Sequence, residues 1–110
     1  MASDKSYLDF ILDQLSNLDG ISWHAMMGEY ILYYRGKVFG GIFDNRFLVK
    51  PVSAARDMMP NASLETPYPG GKEMLLADNV DDRSFLEALL PAMINELPDP
   101  GKRKTSKNKP

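Results

Sequence analysis

The sequence predicts an α+β domain, a two-layer arrangement in which an antiparallel β-meander carries N-terminal and C-terminal helices packed against it. Three observations predict it. Apolar residues among the first twenty positions recur at three- and four-residue spacing. Between Ile21 and Pro51, β-branched and aromatic runs alternate with short turn signals. Near Asp82 the helical spacing returns. A chain of 110 residues fits a single domain of common size.

Residues 3–18 form the first predicted helix. Ser3 or Asp4 is placed to cap it, and Tyr7, Phe10, Ile11, Leu15 and Leu18 make the apolar stripe. Asp9, Asp13, Gln14 and Asn17 are read as lying off that stripe, and Asp19-Gly20 ends the helix. A first strand covers Ser22–Met27, ended by Gly28-Glu29, and a second covers Tyr30–Arg35, with Gly36-Lys37 as the hairpin turn. Lys37–Phe43 follows, then an Asp44-Asn45 turn, then Arg46–Lys50. Gly40-Gly41 interrupts the third strand and points to a bulge or to a closely approaching element.

Ser53–Met59 is a short helix stopped by Pro60, and residues 60–72 hold enough Pro and Gly to be turns with at most one brief strand. Glu73–Ala77 reads as a sheet edge. Asp81 or Asp82 caps the last helix, which runs to about Glu96 with Phe85, Leu86, Leu89, Leu90, Met93 and Leu97 as its apolar set. Pro91 lies inside it, so a kink or early stop is expected.

The chain holds thirteen basic and fifteen acidic side chains, but five of the basic ones (Lys102, Arg103, Lys104, Lys107 and Lys109) lie in the last ten residues, where there is no acid. The first hundred residues therefore carry eight basic against fifteen acidic groups, a formal −7. An acidic body disfavours a nucleic-acid groove and base stacking on Tyr30, Tyr33 or Tyr34. Residues 1–100 are read as the domain and 101–110 as a basic disordered tail. The tail is either a solubilising end or a weak, salt-sensitive contact to phosphates. With no secretory pattern at the start, the expected compartment is the cytoplasm, and no membrane partner is expected.

The chemistry-bearing residues are few. Without cysteine there is no disulfide, thiolate ligand or cysteine nucleophile. His24 is the single histidine, which excludes a multi-histidine metal centre, and Trp23-His24-Ala25-Met26 reads as a half-buried strand with a structural imidazole. Asp78, Asp81 and Asp82 precede a helix, where carboxylates cap free amides. No EF-hand ladder, dinucleotide fingerprint or phosphate loop is present. Seven methionines are many for this length. Most are assigned to core filling, and an exposed methionine–aromatic patch would make a partner site.

The run MMGEYILYYRGKVFGGIFDNRFLVKP, from Met26 to Pro51, resembles the N-terminal domain of the TfoX/Sxy competence regulators. Met26, Gly28, Tyr30, Gly36, Val38, Phe39, Leu48 and Lys50 fit that family's pattern, as do Pro67-Tyr68 and Asp81-Asp82 downstream. His24, Met27 and Glu29 stand where the pattern has Arg, Phe and a second Gly. The resemblance spans about residues 5–97 and implies an α+β domain without catalytic activity, connected with regulating genes for DNA uptake. The expectation is therefore a non-enzymatic regulatory or adaptor domain with no metal or cofactor. Its partner would be a protein, the transcription machinery being the one the resemblance implies, and its partner surface would hold Met26, Met27, Glu29, Tyr33 and Tyr34. Homodimerisation through the Tyr/Met-rich strand pair is a further expectation. Two alternatives stand beside it: a nucleic-acid accessory protein that uses the tail, and a small-molecule or enzymatic domain around His24 and Glu29.

Overall fold

The computed structural model describes residues 3–98, so the tail and its five basic residues lie outside the described part. The elements are α1 (Lys5–Gln14), β1 (Ile21–Met26), β2 (Glu29–Tyr34), β3 (Lys37–Phe43), β4 (Arg46–Val49), α2 (Ser53–Met58), β5 (Leu64–Glu65), β6 (Met74–Leu76) and α3 (Arg83–Met93), the last closing in a 3₁₀ turn, Ile94–Glu96. All six strands form one antiparallel sheet in the order β1-β2-β3-β4-β6-β5. The protein is α+β.

Three consecutive hairpins build most of the sheet, each through a two-residue turn. Met27-Gly28, Arg35-Gly36 and Asp44-Asn45 all have positive φ at both positions, the backbone whose twist matches paired strands. The first turn is therefore Met27-Gly28 and not Gly28-Glu29, because Glu29 already pairs with Met26, and the second is Arg35-Gly36 and not Gly36-Lys37. In the second turn Gly36 has φ 81° at the second position, where glycine is favoured, and Arg35 accepts φ 54° at the first.

Alternation sorts the side chains. Leu32, Tyr34, Ile42, Phe47, Val49 and Leu75 face the helices and join Leu8 and Ile11 of α1, Ala55 of α2, and Leu86, Leu89, Leu90 and Met93 of α3 in one core. The β2–β3 register slips between Leu32 and Tyr33, so that Leu32 opposes Gly40 while Tyr33 opposes Val38. Phe39 is the additional residue, fully buried and edge-on to Phe47 at 6.3 Å. Beside this bulge the β4 backbone comes so close to Gly40 that a Cβ there would lie 2.9 Å from Val49 Cα and overlap the Leu48 carbonyl. The bulge and the close approach both occur at the paired glycines.

Several expectations need correcting. The first helix ends at Gln14, with Leu15–Asp19 in turns. Its buried apolar residues are Leu8 and Ile11, continued by Leu15 at the C-cap, while Phe10 is exposed. Gln14 is buried, its Nε2 donating to the Val80 carbonyl at 2.8 Å. Neither Ser3 nor Asp4 caps α1 with its side chain. β6 is interior, between β4 and β5, because the strand pairs Leu48-Val49 on one side and Leu64-Glu65 on the other. Pro91 does not stop α3: it sits on the exposed side near the helix end, and the backbone tightens into the 3₁₀ turn three residues later, at Ile94. Asp82 caps α3, accepting from the Phe85 amide at 3.0 Å.

Candidate partner-binding groove

The face of the sheet turned away from the helices is covered only in part. Arg46 at the start of β4 organises the cover. Its Nη1 pairs with Glu65 Oε1 at 2.8 Å, Nη2 reaches the Pro67 carbonyl at 3.4 Å, and Nε donates to the Phe43 carbonyl at 3.1 Å. Hydrogen bonds from Arg46 and from Ser63 hold the Glu65 carboxyl below its ordinary value. The guanidinium thus ties the β5–β6 segment to the β3–β4 hairpin, where Pro67 is buried and Tyr68 meets Phe43 at a ring distance of 6.2 Å.

Between this segment and the outward side chains of β1 to β3 lies a groove of about 650 Å³. Met26, Ile31, Val38, Phe43, Tyr68 and Met74 form its apolar walls, with Lys50, Lys72, Glu73 and Glu96 around it. Glu96 is already engaged: it accepts from both the Ser53 amide and hydroxyl at 2.8 Å, which holds its carboxyl low. The volume is that of a site for a drug-sized ligand or a few side chains. Apolar walls of this extent suit binding by burial of surface.

The five residues expected to share a partner surface are divided by the fold. Met26 lines the groove and is 42% exposed, and Met27 stands at the adjoining turn tip at 94%. Tyr33 is on the same face, half-buried. Tyr34 is not part of it: one position on, it points into the core at 3% exposure, with the Arg35 guanidinium 5.4 Å from its ring. Glu29 is held in a turn network. It accepts from Ser3 Oγ at 2.5 Å and from the Asp44 amide at 3.1 Å, while Ser3 Oγ accepts from the Asn45 amide at 3.0 Å. With Ser3 N on the Gly28 carbonyl and Asp4 N on Asn45 Oδ1, the start of the chain clamps two hairpin turns together.

His24 corrects a further expectation. It is exposed on β1, opposite Ile31, and not half-buried. It lines neither the groove nor the neighbouring hollow of about 550 Å³ beside Glu29, Asp44 and Arg46. Among the described residues no three His, Asp or Glu side chains gather into a metal-binding group. Phe43, Tyr68, Met74 and Arg46 were absent from the expected surface. The available signals were Tyr68 between two prolines and Arg46 directly after a turn, but nothing local says that these two segments meet.

Among the described residues no helix is long and apolar enough to cross a membrane. No family model matches the sequence, and no solved structure matches it. A curated protein does: the uncharacterized 12.7 kDa protein in the trpE 5′ region of Spirochaeta aurantia is 38% identical over 111 residues, covering 100% of this chain and 96% of that one. Similarity of that extent along essentially both full lengths shows common descent, and the chain belongs to the same family as this spirochaete protein.

Proposed function

We propose that the protein is a non-catalytic regulatory or adaptor domain of the TfoX/Sxy type that takes a protein partner on the helix-free face of its sheet. One observation carries this reading: the groove is walled by Met26, Ile31, Val38, Phe43, Tyr68 and Met74, next to a fully projecting Met27. Flexible methionines beside rigid rings suit recognition of apolar side chains of varied shape. The two groups that an enzymatic site would have used are spread apart in role, since Glu29 holds turns together and His24 lies outside the groove.

The test is quantitative affinity capture from cells of the source organism, with wild type, Ile31→Asp in the groove, and Glu87→Gln on the helical side as a control. The expected result is a protein that wild type and the control retain and Ile31→Asp loses. In parallel, the purified chain is assayed against hydrolase, phosphatase and nuclease substrates. Robust turnover that His24→Ala or Glu29→Gln abolishes would overturn the adaptor reading.

A further inference from the structure

The two edges of the sheet are protected very differently. β5 is two residues long, has Glu65 engaged by Arg46, and is followed by Pro67 and Pro69. Short length, charge and proline are the usual means of blunting an edge. β1 has none of them. Its six residues, ISWHAM, include no Lys, Arg, Asp, Glu or Pro, its pairing with β2 has no bulge, and five of the six are exposed. Trp23 and Met26 are 41% and 42% exposed.

The register identifies which backbone groups are open. A two-residue turn makes Met26 and Glu29 a hydrogen-bonded pair, so His24/Ile31 and Ser22/Tyr33 are bonded pairs as well. The Arg35 amide on the Gly20 carbonyl, 2.8 Å, continues the same alternation. Ile21, Trp23 and Ala25 consequently turn their N–H and C=O groups away from β2, along the outer edge.

We propose that this edge pairs with β1 of a second copy, antiparallel about a two-fold axis at His24, joining two six-stranded sheets into one of twelve. A two-fold axis normal to the sheet keeps both helical layers on one side and requires facing residues to share a face. That restricts the axis to a residue position rather than a gap between residues. Centred on His24, the pairing sets each Trp23 opposite the small Ala25 of the other copy and each Met26 opposite Ser22. It joins Trp23 and Ala25 by the outward hydrogen bonds. Centred on Trp23 or on Ala25 it would instead oppose two indoles, or place Trp23 against the turn residue Met27.

A strand edge ~20 Å long and ~10 Å deep covers roughly 400–500 Å² over both copies, well short of the ~1,200 Å² typical of stable complexes. The dimer is therefore weak and reversible, forming at high chain concentration and dissociating on dilution. The strand adds no Lys, Arg, Asp or Glu of its own to the seam. Lys5 of each copy, however, lies 5.8 Å from its own Trp23 ring, and the two His24 side chains face each other. Added salt screens these like charges of both copies and so strengthens the pairing.

The experiment exploits the absence of cysteine. Single-cysteine variants His24→Cys, Ser22→Cys and Met26→Cys are oxidised alone and as a mixture of the last two. A non-hydrogen-bonded antiparallel pair has Cα atoms ~4.5 Å apart, within disulfide range. His24→Cys should cross-link to itself, and Ser22→Cys should cross-link to Met26→Cys but not to itself. Light scattering of wild type up to about 1 mM should show mass rising toward the dimer, as the weak interface requires. Ala25→Pro removes an outward amide and leaves the β1–β2 ladder intact, so it should stay monomeric with an unchanged far-UV spectrum. Trp23→Lys, which charges the same edge, gives the same answer should Ala25→Pro disturb folding. A wild type monomeric throughout, a dimer that survives both edge substitutions, or equal cross-linking of all three cysteine variants would each overturn the proposal.

Discussion

Substituting Gly40 by alanine should cost far more stability than any exposed glycine substitution, and the structure lets the difference be worked out. The backbone at Gly40 is ordinary for a side-chain-bearing residue, so the cost is one of space alone. An added Cβ would overlap the Leu48 carbonyl and approach Val49 Cα to 2.9 Å. Both obstacles are main chain of the paired strand β4 and cannot rotate away. Relief requires β3 and β4 to separate where Gly40 opposes Val49 and Gly41 opposes Leu48. Overpacking a core costs ~1–3 kcal/mol even where side chains can yield, and the partial loss of a central ladder adds to it, so about 3–5 kcal/mol is expected. Against a total of ~5–10 kcal/mol for a domain of this size, that is about half, and the melting temperature should drop by roughly 15–30 °C. Gly36→Ala is the matched control. It has φ +81° with nothing within 4 Å of the added methyl, so it bears backbone strain only, about 1 kcal/mol after the gain from a less flexible unfolded chain. Urea unfolding followed by far-UV circular dichroism measures both. A Gly40→Ala protein no less stable than Gly36→Ala would refute the reasoning, for it would mean that β4 yields freely.

Three further outcomes are expected. The carboxyls of Glu65 and Glu96 are held low in the folded state by hydrogen bonds, so the stability they contribute is present above the ordinary glutamate value and lost as pH falls through their lowered values. Melting curves of wild type and the Glu65→Gln/Glu96→Gln double variant should therefore differ at pH 7 and converge once the pH lies below those lowered values; a gap that does not narrow as pH falls would refute the assignment. Asp82→Ala removes the acceptor for the Phe85 amide and should cost about 1 kcal/mol in urea unfolding, with Asp82→Ser or Asp82→Asn restoring most of it. Deleting residues 101–110 should shift the melting temperature by no more than about 2 °C, because Leu97 is the last buried residue of the described core. It should also remove any salt-sensitive DNA binding measured by fluorescence anisotropy.

What the sequence by itself determined is mostly local. The three hairpins were legible because a two-residue turn needs positive φ, and Gly28, Gly36 and Asp44-Asn45 supply it between strand-forming runs. The cap at Asp82 and the buried set of α3 followed from side-chain type and spacing over a few residues. The one-residue shifts at Met27-Gly28 and Arg35-Gly36 were not legible, since glycine serves at either central position of such a turn. Nor was the phase of α1: Tyr7, Phe10, Leu8 and Ile11 make a broad apolar arc, and only the layer beneath selects Leu8, Ile11 and Leu15. Everything that builds the groove depends on contacts between distant segments. β6 becomes an interior strand by pairing with β4 some 27 residues earlier, and Arg46 draws Glu65 and Pro67 across the sheet. Tyr34 is lost to the surface because a strand sends neighbouring residues to opposite faces, and the face that is buried is decided by where three helices pack. Glu29, which reads in sequence as an available acid, is occupied by Ser3 and the Asp44 amide because two turns and the start of the chain meet in space.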